Sequence, residues 1–224
     1  MDTGNCMNVY RVDAFAKPPS SKFDFYPHLE SKKADEAFLD RENFQGKPYP
    51  KKWRRLELFF DEPLRPRADF YAKTHSHFFC NARAKVILDS TKAGELLPVT
   101  IEGEKETHYL FNVTVCGSYV DHANSVVEFY PKKNEPIKPP FMLVAPAFFS
   151  EALESLSVFK IPEQCKSTIY CVDAFKEMVE SNDLRGLRFR LAWSKDRGPV
   201  PDRHPPTTRG IGWMLGDGKK FRPR

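Results

Sequence analysis

Residues 168–193 read TIYCVDAFKEMVESNDLRGLRFRLAW, and the way this stretch alternates decides the fold. Thr168–Val172 is a short aromatic and β-branched run, the composition of a strand. Asp173 is placed to cap a helix over Ala174–Glu180, where Phe175, Met178 and Val179 fall at helical spacing. Asn182 can terminate that helix, and Gly186 opens a second strand, Leu187–Trp193. There Leu187, Phe189, Leu191 and Trp193 alternate with Arg188 and Arg190, which predicts one buried and one wet sheet face.

The same plan stands further upstream. His77–Cys80 reads as a strand, and Asn81 suits the N-cap of a helix over Ala82–Ser90. Gly94 is expected to end that helix in the left-handed conformation, with Leu96–Ile101 following as a strand. The two stretches match at an offset of 91: Phe79-Cys80 falls on Tyr170-Cys171, Lys85 on Lys176, Ser90 on Ser181 and Leu96 on Leu187. Either an internal duplication or two uses of one strand–helix–strand pattern would give this likeness.

Shorter elements fill the rest. Strands are expected at Met7–Phe15, Leu56–Asp61, His108–Val115, Ser125–Tyr130, Met142–Ala145 and Val158–Ile161, with Ala68–Ala72 extended. Short helices are expected at Ala34–Asp40 and Phe148–Ser157, and a helical turn at Tyr119–Ala123. Pro63 and Pro66 close the Leu56–Asp61 strand, because proline cannot donate to a ladder. Pro131–Pro140 reads as an exposed linker-like loop. The fold class is therefore α+β, with mixed, largely antiparallel sheets and a few short helices. The expected organisation is one globular body over 1–194, with a sub-division near 131–140, and a Pro/Gly-rich arm over 195–224.

Composition narrows the class of protein. The 224 residues include 19 Phe, 8 Tyr and 3 Trp, too many aromatics for wholesale disorder, collagen or a coiled coil. The formal net charge is +5, which by itself invites a nucleic-acid reading. Its location changes that reading. Residues 195–224 hold eight cations and three anions, so the whole excess sits in the arm and the body is neutral. No apolar stretch approaches the roughly 18 residues of a membrane span, and no secretory leader is read at the start. The five cysteines are odd in number and irregularly spaced, which argues for a reduced, cytoplasmic protein without a disulfide framework or structural zinc.

Several segments together carry a family likeness. They are the aromatic strand, helix and apolar strand over Phe78–Ile101, then Tyr109-Leu110-Phe111-Asn112-Val113 and Val158-Phe159-Lys160-Ile161. The closing pieces are Ile169–Asp173 and Leu184–Phe189. From about Phe78 to Trp193 the chain resembles the family-11 immunity proteins of bacterial polymorphic toxin systems. The resemblance implies an α+β protein that binds and neutralises a cognate toxin encoded beside it, with no catalytic role. It transfers no functional residue to a particular position.

Other chemistry is weighed against this. His75-Ser76-His77 places two histidines on one strand face, where an enzyme or metal-binding reading would start, but no carboxylate stands close in sequence to complete a ligand set. Cys116 with Asp121-His122 offers nucleophile and base types without a family signature around them. Lys51-Lys52-Trp53-Arg54-Arg55 mixes cations with an aromatic, as nucleic-acid sites do, but Glu57, Asp61 and Glu62 follow at once. No phosphate loop or dinucleotide fingerprint is present, so no cofactor or metal is expected. The arm holds an apolar knot, Ile211-Gly212-Trp213-Met214-Leu215, among cations. The partner-binding residues expected there are Trp213, Met214, Arg209, Lys219, Lys220 and Arg222, suited to an acidic protein surface. The bland alternative is that the knot packs on the protein's own body. The oligomeric state is left open.

Overall fold

Prolines and polar breaks cut the apolar runs into short pieces, and strands outnumber helices. The computed structural model describes residues 7–14, 26–72, 77–129, 142–201 and 212–215. In chain order the elements are β1 (Asn8–Asp13), β2 (Leu29–Ser31), β3 (Leu56–Phe60), β4 (Phe70–Tyr71), β5 (Phe78–Cys80), α1 (Ala82–Thr91), β6 (Gly94–Ile101) and β7 (His108–Val113). Then follow β8 (Val120–Phe129), β9 (Met142–Phe148), α2 (Ser150–Leu153), β10 (Val158–Phe159), β11 (Ile169–Val172), α3 (Asp173–Ser181), β12 (Arg188–Ser194), β13 (Gly198–Pro199) and β14 (Gly212–Leu215). The fold class is α+β, weighted towards β. Among the described residues, no helix is long and apolar enough to cross a membrane.

The chain divides into two units. One comprises Met1–Tyr10, Tyr119–Ser155 and Leu191–Arg224, and the other Arg11–Ser118 and Leu156–Arg190. The second, larger unit contains a six-stranded sheet in the order β2-β3-β6-β7-β5-β4. Only β3 and β6 pair in parallel; the other neighbours are antiparallel. Alternation explains the β3 pattern: Leu56, Leu58 and Phe60 are buried while Glu57 and Phe59 are exposed. The buried side joins Leu29, Tyr71, Phe79, Val99, Ile101 and Leu110 in one core. Each large side chain enclosed in this way contributes about 2–3 kcal/mol of apolar transfer. The first unit holds an antiparallel three-stranded sheet, β14-β8-β9. A third sheet runs β10-β11-β1-β12-β13.

The offset of 91 survives into three dimensions. β5, α1 and β6 recur as β11, α3 and β12. The i,i+4 pair Lys85–Asp89 recurs as Lys176–Glu180. The Ser90 hydroxyl donates to Ile87 O and the Ser181 hydroxyl to Met178 O. Both helices end alike. Lys92 and Asp183, the non-glycine residues with positive φ among those described, stand 91 apart, and their N–H groups donate to Asp89 O and Glu180 O. In each copy a further strand lies between the two repeated ones: the orders are β4-β5-β7-β6 and β10-β11-β1-β12. That central strand follows β6 directly in one copy and is the first described strand of the chain in the other. So many shared details favour duplication over coincidence of pattern.

Asn81 is the N-cap expected of it. Its Oδ1 accepts from the Ala84 N–H at 2.9 Å, and its Nδ2 donates to Asp69 Oδ1 at 3.0 Å. Asn81→Ala is expected to lower stability by about 1–2 kcal/mol. Asn81→Ser, which keeps a capping oxygen, is expected to recover roughly half of this, read as the shift in urea midpoint.

Other local expectations change. Gly94 does not end α1; Lys92 takes the left-handed position (φ 53), and Gly94 begins β6. Its lack of a side chain is needed because a Cβ there would overlap Asn112 O and come within 2.8 Å of its carbonyl carbon. Asp173 is the first helical residue of α3 rather than its cap, which is Val172 without a side-chain bond. The helical turn expected at Tyr119–Ala123 is part of β8. The turn signal was real but local: Asp121 Oδ1 accepts from the N–H groups of Ala123 and Asn124 at the shift in register between β8 and β9. The Phe148–Ser157 helix shortens to Ser150–Leu153, since Phe148 still belongs to β9. The helix expected at Ala34–Asp40 is a 3₁₀ helix over Lys33–Phe38. On β12 the two-faced pattern fails near the end, where Ala192, Trp193 and Ser194 are all buried. The Pro131–Pro140 loop lies outside the described residues.

Candidate protein-binding surface

The residues with nucleophilic or ligating chemistry are placed by packing. His77 is enclosed by aromatics, its ring 4.4 Å from that of Phe44 and 5.7 Å from that of Phe79. His75 lies outside the described residues, among which no group of three or more His, Cys, Asp or Glu side chains is arranged to hold a metal ion. Cys116 is half-buried, and burial, followed by the nearby Cys165, raises its thiol pKa, against the thiolate a nucleophile needs. Asp121 is engaged in its own turn, where its Oδ2 accepts from Asn124 Nδ2 at 2.7 Å, and His122 is exposed. Cys116 belongs to one unit and Asp121 and His122 to the other. Cys80 and Cys171 are fully buried, and burial pushes both thiols well up.

The run Lys51–Arg55 is less free than its composition suggests. The Trp53 indole donates to Pro98 O at 2.9 Å and meets the Tyr49 ring edge-on at 5.0 Å. Arg54 is ion-paired with the buried Asp35 and lies 4.6 Å over the Phe38 ring. Lys51, Lys52 and Arg55 remain exposed.

Two polar centres escaped the sequence reading. Lys160 has no exposed surface; its Nζ donates to Phe44 O at 2.6 Å, and burial lowers its pKa to about 8. The one sequence signal was a lysine inside the apolar run Val158-Phe159-Lys160-Ile161. The second is Asp69, also buried. Its carboxylate accepts from the Arg185 N–H at 2.8 Å, from Asn81 Nδ2 at 3.0 Å and from Arg83 at 3.3 Å. Both centres are structural, since their partners lie within the protein.

Two surfaces remain that can meet another protein. On the six-stranded sheet, α1 packs against β5, β6 and β7, with Lys85 Nζ 5.5 Å from the Tyr109 ring centroid. Tyr109 pairs with Pro98, and Glu57 pairs with Thr100, so Tyr109, Glu57 and Phe59 share that face by strand parity. On β2 and β3 the face is open, with Glu30, Glu57 and Phe59 exposed. The other surface is the arm. β14 pairs with β8 over Gly212↔Phe129, Trp213↔Glu128, Met214↔Val127 and Leu215↔Val126, so the backbone of the apolar knot is tied to the chain's own sheet as an edge strand. Arg209, Lys219, Lys220 and Arg222 lie outside the described residues.

A mostly β protein with buried thiols and two surfaces of this kind fits a class that works by binding. Residues 14–193 match the model of the Immunity protein family (Imm11), and the chain belongs to that family. The match begins 64 positions before Phe78, where the resemblance read from the residues began, and so takes in β2, β3 and β4. No curated protein matches the chain.

Proposed function

We propose that this chain is an immunity protein that binds a cognate toxin domain in the cytoplasm of the producing cell and neutralises it by occupying its surface. Family membership over residues 14–193 carries this reading. The open face of the six-stranded sheet and the edge strand β14 supply surfaces on which such binding would occur. Within this reading, Trp213 and Met214 on β14 and the cations Arg209, Lys219, Lys220 and Arg222 around it form one toxin contact. An edge strand offers unpaired backbone groups, and flanking cations steer an acidic surface towards them.

The test is co-expression with the C-terminal domain encoded immediately upstream. Growth is expected to be rescued, and the two proteins to co-purify. If neither occurs, the reading is wrong. Deleting 197–224 would also strip β14 from β8, so the cleaner variant changes Arg209, Lys219, Lys220 and Arg222 to alanine. Affinity should then fall by about tenfold, mainly through slower association at low salt. An unchanged rate removes the arm from the interface.

A further inference from the structure

The face around Phe59 has a composition that fold stability does not require. Phe59 is 38 % exposed on β3, an inner strand of the sheet between β2 and β6. Glu30 on β2 is its cross-strand partner. On the other side Glu102, one residue past Ile101, donates its N–H to Leu58 O at 2.8 Å, which places it beside Phe59. Glu57 precedes Phe59 on the same face, so three exposed carboxylates border one exposed ring. Lys32, paired with Glu57 at 2.6 Å, is the cation that the described contacts place there. The chain then turns through Asp61 and Glu62 to Leu64, which is 94 % exposed.

Protection of a sheet edge accounts for Glu30, because β2 is the edge strand. It accounts for neither Glu57, on the inner strand β3, nor an aromatic facing solvent between carboxylates. A solvent-facing ring with a charged border is the arrangement of a binding anchor and its rim. The body of the protein is neutral, so this concentration of carboxylates is a local feature.

We infer that the open face formed by Glu30, Glu57, Phe59 and Glu102, with Leu64 at its margin, is the surface that docks a basic face of the cognate toxin domain. This rests on the immunity reading and adds where the toxin sits and what charge it presents. Phe59 enters an apolar recess of the toxin, and the carboxylates meet its Lys and Arg side chains. Opposite charge sets the approach and the aromatic anchor sets the lifetime of the complex.

The test uses the full-length protein and the toxin domain encoded immediately upstream. Equilibrium and kinetic binding are measured at low and high salt, alongside growth rescue. Phe59→Ala should weaken binding by at least about 10-fold, chiefly through faster dissociation. Glu30→Lys with Glu102→Lys should weaken it by about 100-fold, chiefly through slower association, and flatten its salt dependence. All the changed side chains are solvent-exposed, so melting temperatures should stay close to wild type. If wild type binds and rescues but every variant matches its affinity within twofold, this face is not the interface and the immunity reading stands. Tighter binding by the charge-reversed variant would overturn the basic-partner assignment alone. If wild type neither binds nor rescues, the immunity reading fails and the docking surface falls with it.

Discussion

Gly186→Ala is expected to destabilise the fold by about 3–4 kcal/mol and to lower the melting temperature by about 10 °C. Two costs coincide there. Gly186 has φ +108, a region in which L side chains are strained. A Cβ on it would also overlap the carbonyl oxygen of Phe70 and lie 3.0 Å from the carbonyl carbon. This is backbone, and it is held in place. The N–H groups of Asp69 and Phe70 donate to Arg185 O at 2.9 and 3.0 Å, and the Arg185 N–H donates back to Asp69 Oδ2 at 2.8 Å. Relief of the overlap would stretch these bonds, one of which involves the buried carboxylate that also receives the Asn81 cap residue. Gly103→Ala is the control. Its φ is +81, but nothing stands within 4 Å of a Cβ there. It should cost only the backbone strain, about 1 kcal/mol. Equal losses in thermal melts would mean that crowding at Phe70 has no weight.

Lys160→Met is the second large effect, and it depends on pH. Burial holds the folded-state pKa near 8, against 10.5 for the free side chain. Below about 8 the amine is charged in both states, so pH has no leverage through it. Between the two values the unfolded chain holds a proton that the folded chain has released. Lys160 therefore makes stability rise with pH across that window, by about 3 kcal/mol in full. The raised thiols of Cys80, Cys116 and Cys171 act the other way above their ordinary value of 9.0, as does the Tyr71 phenol, raised to about 12, above 10.0. The total curve thus mixes both signs, and the quantity to measure is the difference between variant and wild type. At pH 7 Lys160→Met should be neutral or stabilising, because it removes a buried charge while leaving Phe44 O without its donor. That advantage should shrink steadily as pH rises from about 8 to 10.5. A constant difference across the window would show that the amine is not desolvated.

The elements that could be read from the sequence are those whose cause is local. The Asn81 cap, the alternation of Leu56, Leu58 and Phe60, and the two helices 91 residues apart each follow from neighbours in the chain. The elements that could not be read join distant residues. Lys160 reaches Phe44, and Asp69 reaches Arg185, each across 116 positions. Such pairs leave no periodicity. Gly94 and Gly186 were noticed as glycines, but what they make room for, Asn112 and Phe70, was not visible. The candidate surface was half legible. Strand parity turns Glu57 and Phe59 outward, but only the tertiary arrangement, with α1 over β5, β6 and β7, leaves their end of the face open.

The two copies of the repeated arrangement differ in when their parts are made. β4, β5, α1, β6 and β7 leave the ribosome as one continuous stretch, so that copy can close while the rest of the chain is still being synthesised. The other copy needs β1 between β11 and β12, and the Arg188–Asp13 bond within it spans 175 positions. Its loop-closure entropy is the larger, and it falls late in assembly. The N-terminal strand therefore waits for partners through nearly the whole of translation. A tag or a trimmed residue at that end disturbs the final event of folding rather than the first.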